Sequence, residues 1–195
     1  MMKKYLLAFV AAVMAVTVWG QSASEHLRFK GVPIAGTPES FARRLKQKGL
    51  TVTQTDRDGV LLTGSFAGYR DCSITVSSSK NRNTVSSVSV AFPSRNSWRE
   101  LDGDYSNLKS MLTTKYGEPH ETTEMFEGST APKTDEDRIY KVRFDQCKYF
   151  SIFRPSKGRI LLQIVHYGTE NCYVLLSYID EINYGTVYAP VIDDL

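Results

Sequence analysis

Lys148-Tyr-Phe-Ser-Ile-Phe-Arg-Pro-Ser-Lys-Gly-Arg-Ile-Leu-Leu-Gln-Ile-Val-His-Tyr167 is two apolar runs of strand length divided by one turn signal. Pro155-Ser-Lys-Gly158 supplies the turn, and the aromatic and β-branched residues around it suit a pleated surface. The stretch therefore reads as a hairpin of strands 148–154 and 159–167. Both strands are apolar on both faces. Tyr149 and Phe153 alternate with Phe150 and Ile152, and Ile160, Leu162 and Ile164 with Leu161, Val165 and Tyr167. Helices account for one face; the other must be covered by a further segment or left open to a partner.

Outward from this hairpin the period stays at two. Cys172–Ile179 follows it, and His120–Phe126 and Ile139–Phe144 precede it, with Glu127–Asp137 between them as a polar surface loop. Nearer the start, Val52, Val60–Phe66, Cys72-Ile74-Val76 and Val88-Val90-Phe92 alternate with polar neighbours around the turn Asp56-Arg57-Asp58-Gly59, an antiparallel meander with one wet face. Leu27–Ile34 reads as a short strand.

Two segments have helical period instead. Thr37 and Pro38 open one that buries Phe41, Ala42 and Leu45 and stops at Gly49. The second opens at Ser97, with Glu100 placed to complete a capping box. It carries the stripe Trp98, Leu101, Tyr105, Leu108, Leu112 and Tyr116 until Gly117 and Pro119 end it. Gly103, between Asp102 and Asp104, marks a place where this helix divides. The fold class is α+β: an antiparallel sheet, or sheets, with two helices packed on one face.

A weak internal likeness points to a tandem repeat of one helix plus four strands, with halves 27–95 and 96–182. Cys72 lies twenty positions before Phe92 and Cys147 twenty before Tyr167, placing Val85 over Ile160 and Val90 over Val165.

Residues 1–20 read as a cleaved signal peptide, with basic Lys3 and Lys4, an apolar run from Tyr5 to Val18, and short residues Val18 and Gly20 at the cut. The run is shorter than the roughly 20 residues of a spanning helix and is followed at once by polar residues. Residues 21–195 then form a single exported domain with no transmembrane segment, soluble in the periplasm or outside the cell. The 24 Lys and Arg against 21 Asp and Glu give +3, and loss of Lys3 and Lys4 leaves 22 against 21, or +1. That near-neutral balance argues against a nucleic-acid partner.

The leader, together with Phe29-Lys-Gly-Val-Pro-Ile-Ala-Gly-Thr-Pro-Glu-Ser-Phe41, Gly64-Ser-Phe-Ala-Gly-Tyr-Arg-Asp-Cys72 and Leu112-Thr-Thr-Lys-Tyr-Gly-Glu-Pro119, resembles exported proteins of gut bacteria of the Bacteroides kind. The resemblance spans nearly the whole chain and implies no activity and no catalytic residues. The order of elements is also similar to the TATA-binding-protein-like and beta-lactamase-inhibitor-protein-like folds, an analogy of fold alone.

No sequence signature of catalysis is present: no Gly-x-Ser-x-Gly, no His-Glu-x-x-His, no phosphate-cradling glycine loop and no Cys-x-x-Cys. A tight turn at Pro155–Gly158 sets Cys147 opposite His166 on neighbouring strands, a Cys–His pair only if both share a face. Otherwise Cys147 packs as a small hydrophobe. Three cysteines in an oxidising compartment leave at least one thiol unpaired within a monomer, and Cys147 and Cys172, two strands apart, are near 10 Å, beyond disulfide reach. Asp135, Glu136 and Asp137, and the pair Asp102 and Asp104, lack the ligand spacing of a calcium loop. No catalytic residue, metal ligand or cofactor is assigned.

Ten of the eleven tyrosines follow the leader. Seven of those ten fall between residues 140 and 188, the region that includes the doubly apolar strands. The candidate binding residues are Tyr149, Phe150, Ile152 and Tyr173, and the expected function is a non-enzymatic capture of a protein, peptide or glycan partner on that sheet. The alternative is a cell-envelope hydrolase.

Overall fold

The computed structural model describes residues 26–56, 59–79 and 83–185. The expected leader at 1–20 and the end of the chain at 186–195 lie outside the described residues. The architecture is α+β, a single eight-stranded antiparallel sheet with four helices and one small ribbon. None of the described helices is long and apolar enough to cross a membrane.

The first strand expected, 27–34, is instead that ribbon, β1 (Arg28–Phe29) and β2 (Val32–Pro33). Lys30 and Gly31 between them both hold positive φ, 47° and 78°, the conformation a two-residue hairpin turn requires. Helix α1 (Pro38–Lys46) begins as the sequence indicates: the Thr37 hydroxyl accepts the Ser40 N–H, and Phe41, Ala42 and Leu45 are buried. Strands β3 (Thr51–Thr55), β4 (Gly59–Phe66), β5 (Tyr69–Ser79) and β6 (Thr84–Ala91) form the expected meander.

Helix α2 (Trp98–Tyr116) is continuous through Gly103, which meets nothing within 4 Å of where a Cβ would stand. The glycine costs about 1 kcal/mol of helix propensity, less than the burial of Leu101 and Tyr105 beside it returns. Its start carries the expected capping box in part: Ser97 accepts the Glu100 N–H, and the Glu100 carboxylate reaches back to the Ser97 hydroxyl at 2.9 Å. The N–H groups of Trp98 and Arg99 are taken by the Asp135 carboxylate, at 2.8 and 2.9 Å.

Asp135 comes from an element the sequence reading misses. After β7 (Glu121–Phe126), the segment expected as a strand over 139–144 is helix α3 (Asp135–Arg143). Thr134 and Asp137 make a full capping box, and only Ile139 and Val142, one helical turn apart, are buried. Strands β8 (Cys147–Phe153), β9 (Gly158–Tyr167) and β10 (Asn171–Asp180) and the short helix α4 (Glu181–Gly185) complete the chain. The hairpin turn between β8 and β9 closes where expected, with the Gly158 N–H on the Pro155 carbonyl. Gly158 is required there, because a Cβ would stand 2.2 Å from the Ile179 carbonyl oxygen.

The strand order is β3-β4-β5-β6-β10-β9-β8-β7. It is symmetric about the β6–β10 boundary: each half is a helix followed by four strands, and the halves meet through their last strands. The helix at 135–143 removes the surplus strand of the second half and leaves four. The residue matching needs correction, since Cys72 lies on β5 and Cys147 on β8, whose place in the second half corresponds to β4.

Cross-strand partners share a face, so the register defines the two surfaces of the sheet. The row Leu62, Ile74, Val90, Leu176, Leu162 and Ser151 is fully buried from end to end. Helix α1 packs against β4 to β6, and α2 and α3 against β8 to β10. Each large side chain in this layer, Phe41, Leu45, Leu101 and Leu108 among them, contributes about 1.5–3 kcal/mol by burial.

Candidate functional site

The opposite surface is built from the residues between the buried ones. One row runs Thr123, Phe150, Gln163, Leu175, Ala91, Ser73, Thr63, Thr51, and the next Glu121, Ile152, Leu161, Ser177, Ser89, Thr75, Leu61, Gln54. A third holds Met125, Lys148 and, across β9 and β10, Val165 and Tyr173. No side chain in these rows is fully buried, and the short helix α4 packs against β6, β9 and β10 at one end of the sheet.

The surface has two chemical halves. Over β4 to β6 it is a lattice of serine and threonine. At the boundary the Ser89 and Ser177 hydroxyls are 2.9 Å apart. Over β8 to β10 it is apolar, with Phe150, Ile152, Leu161, Val165, Tyr173 and Leu175 each half-buried and Met125 51% exposed on the adjoining edge strand. The charged groups around the apolar half include Glu121 beside Ile152, Lys148, paired with Glu127, and Arg159, whose guanidinium lies 5.8 Å from the Tyr184 ring centre. This arrangement offers contact area and peripheral hydrogen bonding.

Of the four candidate residues, Phe150, Ile152 and Tyr173 fall on this surface. Tyr149 does not. It points under the helices, edge-on to Trp98 at 4.9 Å and to Tyr105 at 5.9 Å, with Phe126 at 5.4 Å. Period two explains the separation, because neighbours on a strand face opposite ways. Leu161, Val165, Leu175 and Met125 join the surface, and counting across the 155–158 turn from Phe150 to Gln163 is the signal that places the β9 members.

The remaining polar candidates have structural partners. Cys147 and His166 lie near the same end of the sheet, but the ladder between their strands stops at Phe150 and Gln163. The His166 ring directs Nδ1 to the Gly168 carbonyl at 2.7 Å and Nε2 to Asp145 at 3.0 Å, so neither nitrogen serves Cys147. These two acceptors raise the imidazole pKa, the Gly168 carbonyl most. Asp137 caps α3, its pKa lowered by the Lys133 and Thr134 N–H groups, and Asp104 pairs with Arg95 at 2.7 Å. Among the described residues no three or more His, Cys, Asp or Glu side chains converge on a metal position.

Cys72, Cys147 and Cys172 are all free thiols. Cys72 and Cys172 are completely buried, and burial pushes the Cys147 thiol up to about 12, helped by the charges of Cys172 and Asp102. The thiolate is the reactive form, so all three should label slowly with a maleimide at about pH 8 in the native protein and rapidly in denaturant. Mass spectrometry of the labelled chain checks this; three labels added at the denatured rate would contradict the packing.

No family model matches the chain, and neither a curated protein nor a solved structure is significantly similar to it.

Proposed function

We propose that this is an exported binding protein that captures a partner on the face of β8 to β10 turned away from α2 and α3. The observation that carries the reading is the mainly apolar surface of Phe150, Ile152, Leu161, Val165, Tyr173 and Leu175 around Gln163, on the face turned away from α2 and α3. Contiguous exposed apolar area on a soluble domain marks interaction sites. Export rests on the leader at residues 1–20. The aliphatic majority of the surface favours a protein or peptide partner over a glycan, which is gripped chiefly by aromatic rings. A cell-envelope hydrolase would need a base within reach of a nucleophile, and His166 and Cys147 do not form that pair.

The test uses the mature chain as bait in an envelope extract, followed by quantitative binding of whatever is retained. Phe150→Ser and Tyr173→Ser should each weaken capture at least about tenfold, which is the loss of about 1.4 kcal/mol, while leaving the melting temperature within about 2 °C. Undiminished capture by both variants, or loss of stability in place of capture, would remove the surface from function.

A further inference from the structure

Helix α1 lies over the strands of the first half and α2 over β8 to β10 of the second, and at the seam between them the Asn107 amide of α2 donates to the Tyr69 hydroxyl, next to the β4–β5 turn, at 3.1 Å. The seam is not filled. A half-open cleft of about 160 Å³ remains, walled by Leu108, Met111 and Leu112 of α2 and by Phe66 at the end of β4, and floored by Leu176. That volume is close to the roughly 150 Å³ that accepts one benzene-sized ring. Met111, 45% exposed, is an unbranched thioether that can close on such a ring.

Two further observations define the chemistry of the occupant. The Phe66 wall belongs to an aromatic cluster, stacked on Phe29 at 5.0 Å and edge-on to Tyr178 at 6.5 Å, so that a ring in the cavity continues an edge-to-face array. The charged groups at this place are ammonium groups. Lys115, the one charged residue lining the cavity, lies 5.0 Å over Tyr116, and Lys30 lies 5.9 Å from Phe66; neither is in an ion pair among the described residues.

We propose that the seam between α2 and the β4–β5 turn is a binding site for a small aromatic monocarboxylate, the ring seated against Phe66 and Leu176 and the carboxylate facing Lys115. The site lies on the helix-covered side of the sheet and is independent of the partner surface.

Methyl NMR of the exported chain tests it, with phenylacetate as probe and benzyl alcohol as its uncharged counterpart. Phenylacetate should shift the Leu108, Met111, Leu112 and Leu176 methyl signals saturably, and the Phe150 side of the sheet not at all. Lys115 is exposed, so Lys115→Gln should fold normally. It should weaken phenylacetate about two- to fivefold, the range of a surface ion pair, and leave benzyl alcohol unchanged. Absence of a saturable shift at up to about 10 mM, a concentration that detects even millimolar affinity, would overturn the site. Phenylacetate binding unaltered by Lys115→Gln would overturn its preference for an anion.

Discussion

Tyr105→Ala is expected to destabilise the fold by about 3–5 kcal/mol, the range for removing a large aromatic side chain from a packed interior. The residue is 1% exposed at the middle of α2, and its ring meets Tyr149 edge-on. Its hydroxyl lies 2.7 Å from that of Ser151 on β8, which is completely buried and in turn 3.2 Å from the Thr122 hydroxyl on the edge strand β7. Truncation therefore opens a cavity and also deprives a buried hydroxyl of one partner. Tyr105→Phe separates these effects: it keeps the ring and should cost about 1–3 kcal/mol, the penalty of leaving Ser151 less satisfied. Urea denaturation of both variants checks the order, and equal losses would show that the ring contributes little.

Asp180→Ala is the second large loss expected, about 2–5 kcal/mol, because one buried carboxyl ties three parts of the chain together. It accepts the Leu27 N–H at 2.7 Å and the Asn183 N–H at 3.0 Å, and His26 Nδ1 lies 3.2 Å away. The side chain is completely buried, so water cannot replace it for either backbone donor. Asn183 extends the tie, its amide donating to the Ile34 and Val85 carbonyls. Detachment of the ribbon at residues 28–33 should accompany the loss, read as faster amide exchange at Ile34, whose N–H bonds the Leu27 carbonyl. Unchanged exchange and unchanged stability would show that Asp180 is not a clamp.

Asp180 illustrates what period and turn chemistry leave out. A charged residue at the end of an alternating strand reads as solvated, and nothing local to Ile179-Asp180-Glu181 announces that residues 26 and 27 return to it across the whole sequence. The sheet itself is largely legible, because Ile160, Leu162 and Ile164 repeat at period two between strong turn signals. Helix α3 is not. Over Ile139-Tyr-Lys-Val-Arg-Phe144 the set Tyr140, Val142 and Phe144 fits period two while Ile139 and Val142 fit one helical turn, and the Thr134–Asp137 box that decides for helix lies in a stretch that otherwise reads as loop. The ribbon β1–β2 is hidden for a related reason: Lys30 adopts a positive φ that only its pairing with Gly31 in a tight turn makes affordable.

The candidate surface was half legible. Double alternation on strands 148–154 and 159–167 shows that two apolar faces exist, but clustering tyrosines by position in the chain groups Tyr149 with Phe150, which the pleat separates. Tyr149 joins Trp98, Tyr105 and Phe126 under α2, while Phe150 pairs across to Gln163 beside Leu175 on the other side. Face assignment needs the register of at least one neighbouring strand, and a one-residue slip would exchange the two sets.

These two adjacent residues give the most direct test that the outer surface of β8 to β10 is free for a partner. Equilibrium denaturation of Tyr149→Ala and Phe150→Ala in the full chain should show losses that differ by at least about 2 kcal/mol. Tyr149→Ala falls with the core substitutions, and Phe150→Ala stays near the 1 kcal/mol or less of a surface site. A Phe150→Ala loss equal to that of Tyr149→Ala would mean that the outer face is packed like the inner one and is not available for recognition.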